Sequence, residues 1–337
     1  MKKVSPRKIL GIGSPIIDIS CQVTNGLLDE LKIIEGSAER CSFAEQDLLL
    51  NTLVARGGKL NKFSGGSAGN AMKVLAKLIE KFGKHTGGEA YFAGVAGDDD
   101  DGKFFRSEYA ASGVNLKYFS NLSAFRSDRC VAMVSSNGER SFRTSIDASL
   151  QMNLTWLERI DFSEFDIVLV EAYQLYNYEF FVRLLERISE SGAKIAIDLG
   201  SAEVVKSFKN DLLKFLADGK IEIVFANNAE GTALLGGNSA QENCRLLAPK
   251  CRVAAIKDGA NGSWVACGEE FLHSAACPVN VVDTTGAGDS WAGAFLFGLI
   301  EGKSLSDCAD FANSIGALMV QTLGTDLDLG TISSVKI

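Results

Sequence analysis

The residues with the clearest chemical potential form the segment 283–290, which reads Asp-Thr-Thr-Gly-Ala-Gly-Asp-Ser. Gly286, Ala287 and Gly288 are small enough for backbone N–H groups to point at one position, and the helix predicted to follow adds its own free N–H groups. The segment is therefore predicted to bind an anion such as phosphate. A phosphate repels a neighbouring carboxylate, so the obvious role of Asp289 is to take a proton from a hydroxyl that attacks the phosphate. The alternative is that Asp289 only stabilises a helix N-terminus.

A second glycine-rich segment, residues 63–70, precedes a helix whose apolar residues recur every three to four positions. Ser67 is predicted to cap that helix, but a plain capped loop explains neither the pair Gly65 and Gly66 nor Asn70. Adjacent glycines let the backbone approach a ligand closely, and the Asn70 amide offers a donor and an acceptor together. The segment is therefore a second candidate for binding a ligand.

Two charged residues in predicted strands have a structural and a functional interpretation each. Asp18 lies in an apolar strand that continues from Ile16, where it either faces solvent or accepts hydrogen bonds from substrate hydroxyls. Arg140 lies on the second strand of a hairpin predicted around an Asn-Gly turn. It is either a surface charge on an edge strand or a cation that reaches a phosphate.

The elements that would position these residues alternate regularly in the second half of the chain. Apolar strands are predicted at residues 167–171, 193–198, 221–226 and 253–257, and helices at 179–191, 202–216 and about 304–322. A strand is also predicted at 279–282, directly before the segment with Asp289. This alternation predicts an α/β fold, a doubly wound and mostly parallel sheet with helices on both faces.

Ligands of such sheets bind beyond the carboxyl ends of the strands. The predicted strand ends carry polar residues, namely Asp198, Asn227 with Glu230, and the segment from Lys257 to Gly262. The candidate chemistry therefore gathers at one edge of the sheet, where the segment with Asp289 also begins.

Two strand-rich segments interrupt the alternating pattern, residues 14–46 and 120–145. They are predicted to form a small β-sheet lid over the sheet edge. The α/β core then comprises the remaining residues, 1–13, 47–119 and 146–337.

Composition disfavours several classes of function. The net charge of the 337 residues is −8 without a basic block, which argues against a nucleic-acid partner. The 8 cysteines include no C-x-x-C pair and there are only 2 histidines, so a zinc site is disfavoured and a reducing cytosol is expected. No apolar run approaches the ~20 residues of a membrane span. A cytoplasmic enzyme with a small-molecule substrate is expected.

A dinucleotide-binding motif is the other glycine pattern to consider. Gly11 and Gly13 follow the first predicted strand, but Ile16 occupies the third glycine position and an extended segment follows in place of a helix. A dehydrogenase is therefore disfavoured.

Together these motifs resemble the ribokinase-type (PfkB) family of carbohydrate and nucleoside kinases over nearly the full length. Residues 283–289 match the C-terminal signature of that family, and Gly65, Gly66 and Asn70 match its N-terminal signature. Asn-Asn-Ala-Glu at 227–230 matches the motif with which the family organises magnesium. The segment from Lys257 to Gly262 resembles its nucleotide-binding turn.

The resemblance implies an ATP- and Mg²⁺-dependent kinase in which Asp289 is the catalytic base and Gly286, Ala287 and Gly288 form the anion hole. It further implies that a sugar is bound by Asp18, Gly65, Gly66 and Asn70, that Mg²⁺ is held, mainly through water, by Asn227 and Glu230, and that ATP is bound by Lys257, Gly259, Gly262, Thr284 and Asn313.

Residues 13–19 and 138–142 resemble the adenosine-kinase-like branch, whose arginine at the place of Arg140 reaches the transferred phosphate. Tyr173 falls where that branch stacks an aromatic ring on the purine. Glu171 stands where a glycine is usual, so its bulk or charge could narrow the base pocket, and Thr285 replaces an asparagine often seen in animal adenosine kinases.

The acceptor therefore stays open between a nucleoside and a free sugar such as ribose or fructose. The alternative of another class is a ligand-binding pseudo-kinase, which the intact anion hole and Asp289 disfavour. The sequence leaves open whether the protein is a monomer or a homodimer and whether a monovalent cation such as K⁺ activates it.

Overall fold

The computed structural model describes residues 7–83 and 87–333. Residues 1–6, 84–86 with His85, and 334–337, which include both ends of the predicted core, lie outside the described part of the chain. The strands are β1 Lys8–Ile12, β2 Ile16–Gln22, β3 Ala38–Arg40, β4 Asn61–Gly65, β5 Glu89–Gly97, β6 Phe119–Leu122, β7 Asp128–Val134, β8 Arg140–Ser145, β9 Ile167–Glu171, β10 Lys194–Asp198, β11 Ile221–Asn227, β12 Val253–Lys257, β13 Ser263–Cys267 and β14 Glu270–Ser274.

The helices surround and connect these strands. They are α1 Asn25–Glu30, α2 Phe43–Ala55, α3 Ser67–Phe82, α4 Asp100–Ala111, α5 Leu154–Leu157, α6 Tyr178–Ser191, α7 Ala202–Ser207, α8 Lys209–Ala217, α9 Asn228–Leu235, α10 Ala240–Leu247, α11 Ala287–Ile300, α12 Leu305–Met319 and α13 Leu329–Ile332. Within the described residues, no helix has the length and apolar character that crossing a membrane requires.

A large sheet of nine strands forms the centre of the molecule, in the order β14-β13-β12-β11-β10-β9-β1-β5-β6. The strands from β12 to β6 pair in parallel, whereas β13 and β14 are antiparallel additions at one edge. The predicted α/β fold with a mostly parallel sheet is confirmed.

Successive residues of the central strands enter two separate hydrophobic cores, one on each face of the large sheet. In β9, Ile167 and Leu169 pack with residues of α3, α11 and α12. Val168 and Val170 pack with residues of the helices from α6 to α10. Alternate side chains of a strand point to opposite sides of the sheet. Because both sides are covered here, every residue of β9 is buried.

A small sheet in the order β3-β8-β7-β2-β4 stands apart from the large one. Its strands come from both predicted lid segments, and β4 from residues 61–65 joins them by pairing with β2 from Ile16↔Gly65 to Ser20↔Asn61. β6 lies within the second predicted lid segment at residues 120–122 but pairs with β5 in the large sheet. The division of the chain into a core and a lid stays a prediction. β4, from the predicted core, pairs in the small sheet, and β6, largely from the predicted lid, pairs in the large sheet.

Three local predictions were wrong. Residues 279–282 form no strand, because the N–H groups of Val282 and Asp283 bond to Val320 O, and the Val282 side chain is 65% exposed. The helix predicted at 202–216 is interrupted at Phe208, whose φ of −121° lies outside the helical range. The helix predicted to follow the segment 283–290 begins within that segment, at Ala287.

Candidate active site

The segment with Asp289 forms a turn that leads directly into α11. Gly286 occupies the N-cap position with φ 72°, a left-handed conformation that glycine adopts without steric cost. Ser290 N is bonded to Gly286 O at 2.8 Å, four residues back, as in a regular helix. Ala287 N donates to Thr284 O at 3.3 Å, whereas the N–H groups of Gly286 and Gly288 donate to no acceptor among the described residues, so the turn has the geometry of an anion site.

The Asp289 carboxylate is held by two residues of α3. Ser67 Oγ donates to Asp289 Oδ1 at 2.8 Å, and Asn70 Nδ2 donates to Oδ2 at 2.9 Å. The prediction that Ser67 caps α3 is wrong, since Gly66 with φ 95° occupies the cap position and no side chain caps the helix. The Ser67 hydroxyl is used on Asp289 instead, and this connects the two glycine-rich segments.

Acceptor atoms without a protein partner lie beside this carboxylate. Asn70 is 4% exposed, and its buried Oδ1 has no hydrogen-bond partner in the described part of the chain. Among the described residues none donates a hydrogen bond to the Asp18 carboxylate, which lies so close to Gly65 that a Cβ there would be 2.0 Å from Asp18 Oδ2. Buried polar atoms normally have partners, so Asn70 Oδ1 fits a ligand that brings a hydroxyl donor, and the half-buried Asp18 carboxylate is free to accept from a second hydroxyl.

The pKa values of the two carboxylic acids are raised. Burial raises the pKa of Asp18 to about 7, with a further contribution from the negative charge of Asp289, although the Lys73 ammonium opposes it. Burial also raises the pKa of Asp289, and the negative charge of Asp198 adds to this effect. Raised acid pKa values at a buried cluster are typical of sites that bind or activate a ligand.

Arg140 connects the small sheet to the anion turn. Its guanidinium donates to Asp283 Oδ1 and to Thr285 Oγ1, on the residues just before Gly286. Although burial alone would raise the pKa of Asp283, hydrogen bonds from Thr285, Gly324 and Arg140 lower it. Arg140 therefore stands at the anion turn rather than on a free surface.

The ends of β10, β11 and β12 bring a second group of charges beneath the turn. Lys257 Nζ bonds to Asp198 Oδ2 at 3.0 Å and to Gly288 O at 3.4 Å. Burial lowers the pKa of Lys257, but the charges of Asp198 and Glu230 outweigh this and raise it. Burial, together with the charge of Asp198, raises the pKa of Glu230 to about 7.

Asn227 and Glu230 form a capping box at the start of α9. Asn227 Oδ1 accepts from Glu230 N at 2.9 Å, and Glu230 Oε2 accepts from Asn227 N at 2.8 Å. Within the described residues no group of three or more His, Cys, Asp or Glu could hold a metal ion directly. The acidic neighbours and the amide fit a hydrated divalent cation such as Mg²⁺, which keeps most of its waters and needs few protein ligands.

The residues assigned to ATP lie on the turn after β12, on α12 and at the anion turn. Gly259 and Gly262 have φ values of 56° and 90°, and a Cβ on Gly262 would be 2.0 Å from Ser274 O. The Asn313 side chain is used by the protein, since it accepts from Trp291 Nε1 at 2.7 Å and donates to Ser274 O at 2.9 Å. Thr284 is exposed beside the anion turn.

Glu171 ends β9 and Tyr173 follows two positions later, but the two side chains face different surroundings. Tyr173 is 40% exposed and its hydroxyl donates to Gly200 O at 3.3 Å, beyond the neighbouring strand β10. Within the described residues, the contacts of Tyr173 therefore lie at the end of β10 and do not include Asp18. Glu171 is 2% exposed, and its carboxylate accepts hydrogen bonds from the main chain of Ser14 and Ala68.

Sequence reasoning missed Lys73. Its ammonium is buried in α3 and donates to Ser64 Oγ at 2.9 Å and Thr325 Oγ1 at 3.3 Å. Burial lowers the pKa of Lys73 to about 8. The available signal was a lysine between Met72 and Val74 within the most apolar stretch of the helix.

The sequence and the fold are similar to those of known kinases. A sequence profile of pfkB family carbohydrate kinases matches residues 36–332. An adenosine kinase structure from Sinorhizobium meliloti superposes with a TM-score of 0.84 at 28% identity, covering 98% of both chains. A ribokinase from Arabidopsis thaliana is 26% identical over 87% of this chain and 76% of its own length. An aminoimidazole riboside kinase from Salmonella typhimurium is 26% identical over 78% of this chain and 83% of its own.

Proposed function

The chain belongs to the pfkB family of carbohydrate kinases and is a phosphotransferase acting on a hydroxyl of a nucleoside or sugar, and on this premise we propose that Asp289 is its general base. The family membership implies that ATP is the phosphate source and that a divalent metal ion accompanies it. We assign the metal as Mg²⁺ and the acceptor as the ribose 5′-hydroxyl of a nucleoside of the adenosine type.

The observation that carries the proposal is the position of Asp289 between the two glycine-rich segments. Its carboxylate is fixed by Ser67 and Asn70 at one side and belongs to the first turn of α11 at the other. A base must lie within hydrogen-bond reach of the hydroxyl it deprotonates, and the unpartnered Oδ1 of Asn70 offers a place for that hydroxyl beside Asp289.

The chain's own residues would then divide the work of an in-line transfer. Asp289 takes the proton of the attacking hydroxyl, and the amides of Gly286, Ala287 and Gly288 bind the charge that develops on the phosphate. Arg140, held at the turn by Asp283, adds a positive charge from the small sheet. Bound Mg²⁺ supplies neutralisation of the phosphate charges, and Asn227 and Glu230 would hold its water shell.

The Glu230→Gln variant tests the metal assignment. We expect it to raise the Mg²⁺ concentration required for half-maximal rate more than it raises the acceptor KM, because the lost charge faces the hydrated ion. The capping box loses an acceptor as well, so the melting temperature is measured in parallel. An unchanged Mg²⁺ dependence would leave Glu230 as a residue of the helix start only.

The Tyr173→Ala variant tests whether the acceptor carries a base. Stacking of a base on an aromatic ring contributes ~1–3 kcal/mol, and each ~1.4 kcal/mol is a factor of ten, so the nucleoside KM should rise roughly ten-fold or more. The KM of a free sugar should hardly change. Tyr178→Ala, a change at a similarly exposed tyrosine on α6, is the control. Equal effects of Tyr173→Ala on nucleoside and sugar would contradict the stacking role.

A phosphorylation screen with ATP and Mg²⁺ decides the acceptor. The panel contains adenosine, inosine, cytidine, ribose and fructose, each in K⁺ and in tetramethylammonium buffer to test the monovalent cation. Turnover of a nucleoside supports the proposal. Efficient turnover of ribose or fructose with all nucleosides inert would favour the free-sugar kinase, and no turnover of any acceptor would favour a ligand-binding pseudo-kinase.

A further inference from the structure

We propose that Glu171 is a positioning residue that ties together two connections between the large and small sheets and thereby keeps the Ser67 hydroxyl on Asp289. The inference rests on the proposed function of Asp289 and adds to it a residue that does not itself touch Asp289.

The two connections lie side by side at the end of the large sheet. Residues 13–15 join β1 of the large sheet to β2 of the small sheet, and Gly66 joins β4 of the small sheet to α3. A Cβ on Gly66 would be 2.4 Å from Ser14 O, so the two segments are in direct contact. This pair is therefore one of the places at which the small sheet is held against the large one.

One oxygen of the Glu171 carboxylate accepts a hydrogen bond from the first connection, and the other accepts from the helix turn directly after Gly66. Oε1 accepts from Ser14 N at 2.7 Å and Oε2 accepts from Ala68 N at 3.2 Å. Gln174 Nε2 adds a third hydrogen bond to Oε1 at 3.1 Å. A Cβ on Gly13 would be 2.5 Å from Oε2, so glycine at that position is what allows the carboxylate to come this close.

The anchor of this arrangement is rigid. Glu171 is the last residue of β9, which pairs with both β1 and β10 in the middle of the large sheet. Ala68 follows Ser67 directly in the first turn of α3, so the hydrogen bond to Ala68 N sets the position of the residue that donates to Asp289. These hydrogen bonds thus link Glu171, at the end of β9, to the Asp289 carboxylate through the first turn of α3.

A buried carboxylate is costly unless its hydrogen bonds compensate for the loss of water. Burial raises the pKa of Glu171 to about 7, which the hydrogen bonds from Ser14, Ala68 and Gln174 oppose. A neutral side chain of equal size cannot replace it, because an amide has one acceptor oxygen and its NH₂ group would face one of the two backbone N–H groups. A carboxylate is the side chain that accepts from both connections at once.

The test compares Glu171→Gln with Asp128→Asn. Asp128 is also fully buried, and it accepts from Asp147 N at 2.9 Å and Ser149 N at 3.3 Å on another connection to the small sheet. Both variants remove one buried negative charge from a connection, and both should lower the melting temperature. Only Glu171→Gln should lower kcat, by roughly ten-fold or more, since a 1 Å misplacement near the chemistry can cost about 10²-fold. The KM for ATP should stay the same in both variants.

A double-mutant cycle with Ser67→Ala identifies the route of the effect. If Glu171 acts through Ser67, the loss of kcat in the double variant should be much smaller than the product of the two single losses. Amide hydrogen exchange at Ser14 and Ala68 should be faster in Glu171→Gln than in the wild type, and this readout does not depend on activity. If Glu171→Gln does not fold, Glu171→Asp, which keeps the charge but shortens the reach, enters the same comparison and should also lower kcat.

Equal kcat values for Glu171→Gln and Asp128→Asn in an active enzyme would overturn this inference, as would independent, multiplicative effects of Glu171→Gln and Ser67→Ala. Either result leaves the role of Asp289 untouched. Conversely, a fully active Asp289→Asn variant would overturn the proposed function, while faster exchange at Ser14 and Ala68 would still support the structural part of the Glu171 assignment.

Discussion

Replacement of Asp289 by Asn is expected to lower kcat by about 10²–10⁴-fold, the usual contribution of a positioned acid or base. Asparagine keeps the size of the side chain and the Ser67 hydrogen bond. Its NH₂ group would face Asn70, whose amide can rotate to offer the Oδ1 that has no partner in the wild type. The fold and ATP affinity should therefore be preserved, which calorimetric titration with ATP would check.

The pH profile adds a second readout to this variant. Burial and the charge of Asp198 raise the pKa of Asp289, and a base must be ionised to accept a proton. The wild-type kcat/KM should thus fall as the pH decreases through this pKa, at a higher pH than an ordinary aspartate would give. The Asp289→Asn variant should lose that dependence. Asp218→Asn, a change of the same charge at an exposed residue, is the control. Near-normal kcat in Asp289→Asn would show that the base lies elsewhere.

Replacement of Asp18 by Asn is expected to raise the KM of the acceptor by roughly 10–100-fold. Hydrogen bonds to a charged group contribute ~1.5–3 kcal/mol, and each ~1.4 kcal/mol is a factor of ten in affinity. The ATP KM should stay the same, because the proposed partners of Asp18 are the two ribose hydroxyls. An unchanged acceptor KM would remove Asp18 from the substrate site.

Stability should respond to Asp18→Asn in the opposite direction from affinity. In the folded protein the pKa of Asp18 is raised to about 7, so the wild type loses stability as the pH rises from about 4, where an unfolded aspartate ionises, to about 7. Asparagine does not ionise, and its introduction breaks no hydrogen bond donated by a described residue. The melting temperature of the Asp18→Asn variant at pH 8 should therefore equal or exceed that of the wild type. A lower value would indicate that the carboxylate has a structural role.

The local features of the fold followed from the sequence with few errors. A capping box joins Ser42 and Glu45 at the start of α2, and this motif is local because both hydrogen bonds link residues only three positions apart. The strands β9 and β12 were predicted with their bounds, since an uninterrupted apolar run is typical of a strand buried on both faces. The strand predicted at 279–282 failed because an apolar composition does not reveal which surface a segment contacts.

The site itself was predicted as a set of residues but not as an arrangement. The positions of Asp289, Asn70, Asp18 and Lys257 could be picked out because glycine pairs and charges in apolar strands are local signals. The roles of those four residues in binding and catalysis stay predictions. The ion pair between Lys257 and Asp198 was not predicted, because 59 positions separate the partners.

The sequence by itself determined the alternation of strands and helices, the small residues before α11 and the edge of the sheet at which polar residues gather. These properties depend on side-chain type and on neighbours a few positions away. The tertiary structure alone decided that Ser67, 222 positions from Asp289, bonds to that carboxylate instead of capping its own helix. It also decided that Glu171 contacts the connections at Ser14 and Ala68, which lie 157 and 103 positions away. The physical reason is that a buried donor or acceptor takes whichever partner the packed layers bring near it, and that choice exists only once the two sheets and α3 have come together.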